Sequence, residues 1–233
     1  MRLSIVIPAY NEEATLATLL ERVHTLDLFP VEKEIIVVND GSRDRTLEIA
    51  SVYATNHKNI TVLSHEHNRG KGAAVRTGFA HATGEYVVVQ DADLEYEPGD
   101  FRAMLALAQE KNAGAVYGSR RLPLPGQPQK RGKWYYYLGG VVLTYLANII
   151  YDTRITDEPT CYKMVRGDIL KEIPLTSNGF EFCPEITAKI AKRGITIYEV
   201  PIHYHPRSAA EGKKIRAQDG VIAIWTLLRY ITL

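Results

Sequence analysis

Two cysteines in 233 residues, Cys161 and Cys183, are too few for a disulfide framework, and they form no Cys-x-x-Cys pair. That usage suits a reducing, cytoplasmic setting with two ordinary buried thiols. Charge of one sign is missing too, since 28 Lys and Arg against 27 Asp and Glu leave a formal net charge of +1. There is thus no global attraction for nucleic acid, and no basic tract or RNA-binding aromatic motif compensates, so nucleic acid is not expected as a partner. The N-terminal apolar run Leu3-Ser4-Ile5-Val6-Ile7-Pro8 soon meets Glu12 and Glu13, too short a run for a signal peptide. Secretion is not expected. No G-x-x-x-x-G-K-[ST] occurs, and Gly70-Lys71-Gly72-Ala73-Ala74-Val75 has Val where a dinucleotide fingerprint needs its third small residue. A P-loop NTPase and a nicotinamide enzyme both drop out, and Gly70 and Gly72 read as packing glycines opening a helix.

What is present is globular: 45% hydrophobic and 24% charged residues, in a chain long enough to bury a sizeable core as one domain, 1–233. It is organised around Glu85-Tyr86-Val87-Val88-Val89-Gln90-Asp91-Ala92-Asp93-Leu94-Glu95, an apolar β-branched run closed by carboxylates. Such a run reads as a buried strand delivering acids to the C-terminal edge of a sheet. If the chain stays extended, alternation puts Asp91, Asp93 and Glu95 on one side and Ala92 and Leu94 on the other. Three crowded carboxylates repel one another, and a hard divalent cation, Mg²⁺ or Mn²⁺, relieves that repulsion while binding a substrate's phosphates.

The rest of the chain supplies neighbours for that strand. Residues 2–8 read as a strand, Asn11 as the N-cap of a helix with Leu16, Leu19, Leu20 and Val23 on one face. Glu34–Val38 reads as a second strand ending in Asn39-Asp40-Gly41-Ser42, with a helix from about Asp44. A strand near Ile60–Leu63, a helix over Ala73–Ala82, a helix over 99–111 and a strand Ala115–Gly118 continue the alternation. Strands alternating with helices imply an α/β fold: a mainly parallel sheet covered on both faces, binding ligands at the carboxyl ends of its strands.

Beyond Arg120 the pattern changes. Leu122–Pro128 reads as a loop or lid. Trp134–Tyr151 has no charge, but its tyrosines, Trp134, Thr144, Asn148 and Gly139-Gly140 suit a membrane interface better than a span, with a core helix as the competing reading. Glu185–Ala191 reads as a helix closed by Gly194, and Ile195–Val200 as a strand. The basic segment 201–216 could clamp a diphosphate, and Val221–Ile231 reads as an interfacial or core helix. His203 and His205 lack a third ligand, so zinc is not expected.

Taken together, Ile7-Pro8-Ala9-Tyr10-Asn11-Glu12, Val38-Asn39-Asp40-Gly41-Ser42, Gln90-Asp91-Ala92-Asp93-Leu94 and Gly118-Ser119-Arg120 resemble the family 2 inverting glycosyltransferases of the GT-A fold. With Asp157-Glu158-Pro159-Thr160-Cys161-Tyr162-Lys163 and Tyr204-His205-Pro206-Arg207, the chain is similar to dolichyl-phosphate mannose synthases and related polyprenyl-phosphate sugar transferases. The resemblance covers nearly the whole chain, and it implies roles. Pro8, Tyr10 and Glu12 line a nucleotide pocket, Asp40 contacts the base, and Asp91 with Ala92 meets the ribose or metal. Asp93 is the main metal ligand with Glu95 beside it, Arg120 and Arg131 receive a lipid phosphate, and Arg207 and Lys213 hold the donor diphosphate. Residues 1–120 become the nucleotide-sugar half and 121–233 the acceptor half, acting peripherally at the cytoplasmic membrane face. The implied reaction is metal-dependent transfer of mannose or glucose from GDP-mannose or UDP-glucose to polyprenyl or dolichyl phosphate. The sequence departs from the mannose synthases at Glu95, where they usually carry Gln, and lacks the C-terminal transmembrane helices of many relatives. Two other readings compete: a hydroxyl acceptor with Asp157 as general base, and a nucleotide-binding module without catalysis. The oligomeric state is not legible.

Overall fold

The computed structural model describes residues 1–124, 134–207 and 217–231. Seven strands form one sheet: β1 (Arg2–Ala9), β2 (Glu32–Asn39), β3 (Ile60–Ser64), β4 (Tyr86–Val89), β5 (Ala115–Ser119), β6 (Lys163–Arg166) and β7 (Ile197–Pro201), in the order β3-β2-β1-β4-β6-β5-β7. The helices are α1 (Leu16–Thr25), α2 (Thr46–Asn56), α3 (Lys71–His81), α4 (Phe101–Glu110), α5 (Trp134–Tyr151), α6 (Gly167–Glu172), α7 (Phe182–Lys192) and α8 (Ala217–Arg229). All strand pairs are parallel except those of β6, which runs antiparallel to both β4 and β5. Two reversals restore direction, so β5 points the same way as β4. The carboxyl ends of β1, β2, β4 and β5 therefore share one edge.

Alternation along the strands divides the core. Ile5, Ile7, Ile35, Val37, Val88, Val116 and Met164 face one layer with Leu16, Leu19 and Leu20 of α1 and Phe101 and Met104 of α4. Val6, Ile36, Val38, Val87, Tyr117 and Val165 face the other, with Ala74 of α3 and Ile186 and Ile190 of α7. Burying each such aliphatic side chain contributes roughly 1.5–3 kcal/mol, which makes these two layers the main cohesion of the fold. Helix α3 lies close on β1 because residue 78 is Gly: a Cβ there would stand 2.3 Å from Val6 Cγ1. Gly78→Ala would push the helix off the strand.

The mainly parallel α/β sheet with helices on both faces is as the sequence implied, and the differences are local. Asn11 does not cap α1. It adopts φ 49°, and its backbone N–H donates to Ser42 Oγ while its side chain accepts from the Arg43 N–H. The chain makes another turn before α1, with the Glu12 carbonyl accepting from Thr15 and Leu16. Asp44 lies just ahead of α2 and accepts from the Thr46 N–H at 3.0 Å, and the helix begins at Thr46, two residues later than expected.

Helices α5 and α8 pack on each other through Leu143, Ala147, Ile155, Ala223 and Leu227. Other apolar residues of the two helices are exposed: Trp134, Leu138, Tyr145 and Ile149 on α5, and Val221, Trp225 and Leu228 on α8. Each helix is thus part core and part surface, so the core reading of residues 134–151 holds for one face. Among the described residues no helix is long and apolar enough to cross a membrane.

Candidate active site

The shared strand edge gathers most of the residues singled out from sequence. Pro8 closes β1 opposite Val38, Tyr10 and Glu12 follow it, Asp40 follows β2, Asp91, Ala92, Asp93 and Glu95 follow β4, and Arg120 follows β5. Arg131 and Lys213 lie outside the described residues.

The acids do not converge by strand alternation, because β4 ends at Val89 and residues 91–95 turn instead. Leu94 takes φ 61°, and the Glu95 N–H donates to Asp93 Oδ1 at 3.1 Å. Each carboxylate then has protein partners, and Asp93 and Glu95 share one cation. Asp91 Oδ1 lies 2.5 Å from Lys71 Nζ at the start of α3, and Asp93 Oδ2 lies 2.9 Å from Arg207 Nη2. Glu95 accepts from the Tyr204 hydroxyl at 2.9 Å and from the Arg207 N–H at 2.9 Å. Among the described residues no group of three metal-ligating side chains forms, so the expected set of Asp91, Asp93 and Glu95 is not assembled by the protein alone.

The electrostatics nonetheless suit a divalent cation. Burial, then Asp91, then Glu95 push the Asp93 carboxyl up to about 6, against the pull of Arg207. A carboxylate strained in this way gains from a further positive charge. Mg²⁺ and Mn²⁺ are commonly held by one or two carboxylates, waters and substrate phosphates, and the hard oxygen donors of Asp93 and its neighbours fit that mode. Lys71 stays charged: burial opposes ionisation, but the charge and hydrogen bond of Asp91 together with Cys161 and Cys183 raise the ammonium well above its ordinary range.

Asp40 at the end of β2 is buried, with Oδ1 2.6 Å from His65 Nδ1 and accepting from the Arg69 N–H, and Oδ2 accepting from the Gly70 N–H at 2.8 Å. It fastens the 65–70 loop beneath α3. Gly70 makes that turn possible, since it adopts φ 95° and a Cβ would stand 2.4 Å from the Asn178 carbonyl. The packing reading of that glycine holds.

On the other side of the edge, Arg120 and Asp157 form one unit. Asp157 has no exposed surface and accepts from Arg120 Nε at 2.7 Å, Nη2 at 2.8 Å and the backbone N–H at 3.0 Å. Burial opposes its ionisation, but Arg120's charge and hydrogen bonds hold the carboxyl below its usual range. A buried acid with depressed affinity for protons and three donors is a poor general base. These contacts count against Asp157 as an acceptor base and hold the guanidinium in place, over the Tyr204 ring at 5.2 Å. Arg121, adjacent, reaches Thr144 of α5 at 3.4 Å and the Thr156 carbonyl at 3.1 Å, tying the exposed apolar helix to this corner.

Sequence reasoning missed Lys71 as the partner of Asp91, His65 as the partner of Asp40, and the buried Lys163–Glu158 pair behind Asp157. The one available signal was composition: clustered buried acids need countercharge, but sequence does not say which Lys or Arg provides it.

Known proteins resemble this chain in family and in fold. The sequence profile of Glycosyl transferase family 2 matches residues 4–174. A dolichyl-phosphate beta-glucosyltransferase of Trichomonas vaginalis is 31% identical over 96% of this chain and 71% of its own length. The dodecaprenyl-phosphate galacturonate synthase of Rhizobium johnstonii is 26% identical over 91% of this chain and 62% of its own. Among solved structures, glucosyl-3-phosphoglycerate synthase of Mycobacterium tuberculosis, in complex with Mn²⁺, uridine diphosphate and phosphoglyceric acid, superposes with a TM-score of 0.73 at 22% identity, over 100% of this chain and 79% of that one.

Proposed function

The chain belongs to glycosyltransferase family 2 and is a hexosyltransferase, and from that premise we propose that it transfers a hexose from a nucleotide-diphosphate sugar to a polyprenyl or dolichyl phosphate at a membrane surface. The observation that carries the acceptor half of this reading is the Arg120–Asp157 pair: an oriented guanidinium is at the strand edge, and the acid that holds it is unfit to deprotonate a hydroxyl. A lipid phosphate is already anionic near neutrality and needs charge relief and orientation rather than a base. The planar fork of Arg is suited to that task.

On the donor side, residues 1–120 hold the nucleotide sugar. Pro8, Tyr10 and Glu12 border the nucleotide, Asp40 shapes its floor by fixing the 65–70 loop, and Asp91 and Ala92 lie beneath the ribose. Asp93, with Glu95 beside it, holds Mg²⁺ or Mn²⁺. The cation, when bound, supplies Lewis-acid stabilisation of the charge that develops on the leaving diphosphate. Arg207 adds a positive charge to the same group, the kind of prearranged electrostatic contact that acts where transition-state charge appears. The sugar's anomeric carbon is then attacked by the acceptor phosphate oxygen from the face opposite the leaving group, inverting its configuration.

Glucose is the first sugar to test. The relative at 31% identity is a glucosyltransferase, and Glu95 stands where mannose synthases usually carry Gln. Residues 121–233 supply the acceptor half, with the exposed faces of α5 and α8 lying on the bilayer and Arg121 linking α5 to the Arg120 corner. Tyr and Trp side chains suit that interface because one end of each is apolar and the other wet. The test is a panel of nucleotide-diphosphate sugars with Mn²⁺ and vesicles carrying a short polyprenyl phosphate, reading nucleoside diphosphate release and lipid-extractable sugar. Release that requires the lipid phosphate is expected. Activity on hydroxyl acceptors alone would sink the proposal.

A further inference from the structure

Arg207 is placed where a cation belongs. Its Nη2 lies 2.9 Å from Asp93 Oδ2, its Nη1 3.5 Å from Glu12 Oε2 and its Nε 3.8 Å from Glu95 Oε1. Three carboxylates from two different strand ends are gathered by one guanidinium. The fit is incomplete: Nε is buried and makes no hydrogen bond, so the guanidinium is shared among acids at the expense of one donor. A group that only held the loop in place would be expected to satisfy its own N–H groups.

The backbone beneath it is fastened independently of the guanidinium. Tyr204 bridges Tyr96, the His205 N–H donates to the Glu95 carbonyl at 2.8 Å, and the Arg207 N–H donates to Glu95 Oε1 at 2.9 Å. The side chain can therefore leave Asp93 by rotation while residues 204–207 stay docked. Without it, Asp93, Glu95 and Glu12 would each lose that guanidinium, while Asp91 would keep Lys71.

We propose that Arg207 is an exchangeable internal counter-ion: in the donor-free protein it occupies the carboxylates that receive the divalent cation, and it transfers to the diphosphate as the cation takes its place. The inference rests on the reading of Asp93 as the cation's ligand. It makes the two ligands interdependent. A cation arriving alone must displace the guanidinium from Asp93 with nothing to receive it, whereas a cation arriving with a nucleoside diphosphate leaves Arg207 with a new anionic partner. Coupling of this kind is reciprocal, so the cation must tighten diphosphate binding by the same factor. It also discriminates against free cations, keeping the site closed to them until a donor is present.

The test measures Mn²⁺ binding without turnover, by the electron paramagnetic resonance signal of free Mn²⁺, for the full chain and for Arg207→Met, Arg207→Lys and Asp93→Asn. Arg207→Met keeps the aliphatic bulk and the backbone hydrogen bond, and a circular dichroism melt confirms the fold. Removing a charge-assisted hydrogen bond and two further ion contacts should tighten Mn²⁺ alone at least about tenfold. Arg207→Lys should stay near the wild type, because a cation still competes, an outcome that loss of mere packing would not produce. Asp93→Asn should abolish the gain when combined with Arg207→Met. If Arg207→Met binds Mn²⁺ alone no more tightly than the wild type, while Asp93→Asn still weakens binding, the counter-ion role is wrong and the metal site stands. If no variant binds Mn²⁺ even with UDP or GDP, the metal site falls and the exchange falls with it.

Discussion

Replacing Asp157 with Asn separates an orienting carboxylate from a catalytic base. The side chain is wholly buried and accepts three N–H groups from Arg120, with Arg121 Nε at 3.8 Å. An amide of the same shape has one acceptor atom, and its NH₂ would face a donor of the guanidinium. The substitution leaves a mostly buried Arg charge without its partner, which typically costs about 3–5 kcal/mol. Set against a total stability of about 5–15 kcal/mol, that lowers the urea midpoint strongly without abolishing the fold. Arg120→Ala should cost a similar amount, since it strands the Asp157 charge. A double replacement, Arg120→Met with Asp157→Leu, should cost clearly less than the two single losses together, by about 0.5–3 kcal/mol, because neither charge is then orphaned.

The assay pairs urea unfolding with steady-state kinetics, varying donor and acceptor separately. If Asp157 orients Arg120, Asp157→Asn raises the KM for polyprenyl phosphate and leaves the donor KM near the wild-type value. If it is a base, kcat falls by about 10²–10⁴-fold with unchanged acceptor KM. A variant of wild-type stability with that kinetic signature would refute the paired arrangement and restore the hydroxyl acceptor.

Two other expectations follow from parts of the fold away from this corner. Glu185 on α7 is buried but ionised: burial works against its charge, yet Lys189, the Ser177 N–H and the Tyr230 hydroxyl bring its carboxyl down from 4.5 to about 2. Because the folded value lies below the unfolded one, its contribution is fully present above about pH 4.5 and is lost as pH falls toward 2. Thermal melts of wild type and Glu185→Gln should therefore differ by about 3 kcal/mol near neutrality and converge near pH 2, and parallel curves would contradict the assignment. For the apolar surface, Trp225→Asp and Tyr145→Asp should each weaken co-sedimentation with anionic vesicles without lowering the melting temperature, since both side chains are exposed. A wild-type chain that does not sediment with vesicles at all would show that these faces serve something other than a bilayer.

How far the sequence leads depends on how local each cause is. The strands β1, β2 and β4 are legible because each is an apolar β-branched run ending in turn formers, and those ends are where the site lies. Strand β6 is not. It consists of Lys163-Met164-Val165-Arg166, and its first residue is a buried lysine whose ammonium donates to the Glu158 carbonyl at 2.6 Å and lies 3.8 Å from the Tyr117 ring centroid. A charge at a buried position violates the alternation by which strands are recognised, and Glu158 with the distant Tyr117 and Thr187 makes it tolerable. The antiparallel insertion that brings Asp157 to Arg120 is therefore hidden for the same reason that it is stable.

The acids show the same limit in a functional form. Asp40, Asp91, Asp93 and Glu95 are identifiable from sequence as residues of a binding edge, but the properties that decide what each can do come from His65, Lys71, Tyr204 and Arg207, supplied by other elements. With those partners in place each acid already has an internal contact, and a ligand's affinity is the difference between its own contacts and the internal ones it breaks. Asp40 and Asp157, held by three N–H or imidazole partners each, have little to gain from an exchange and act as fixed supports. Asp93, pushed up to about 6 and sharing one guanidinium with Glu12 and Glu95, has the most to gain. The divalent cation is therefore expected at Asp93 rather than at the better satisfied acids, and the reactivity of this edge follows from which carboxylate is least well paired, not from how many are present.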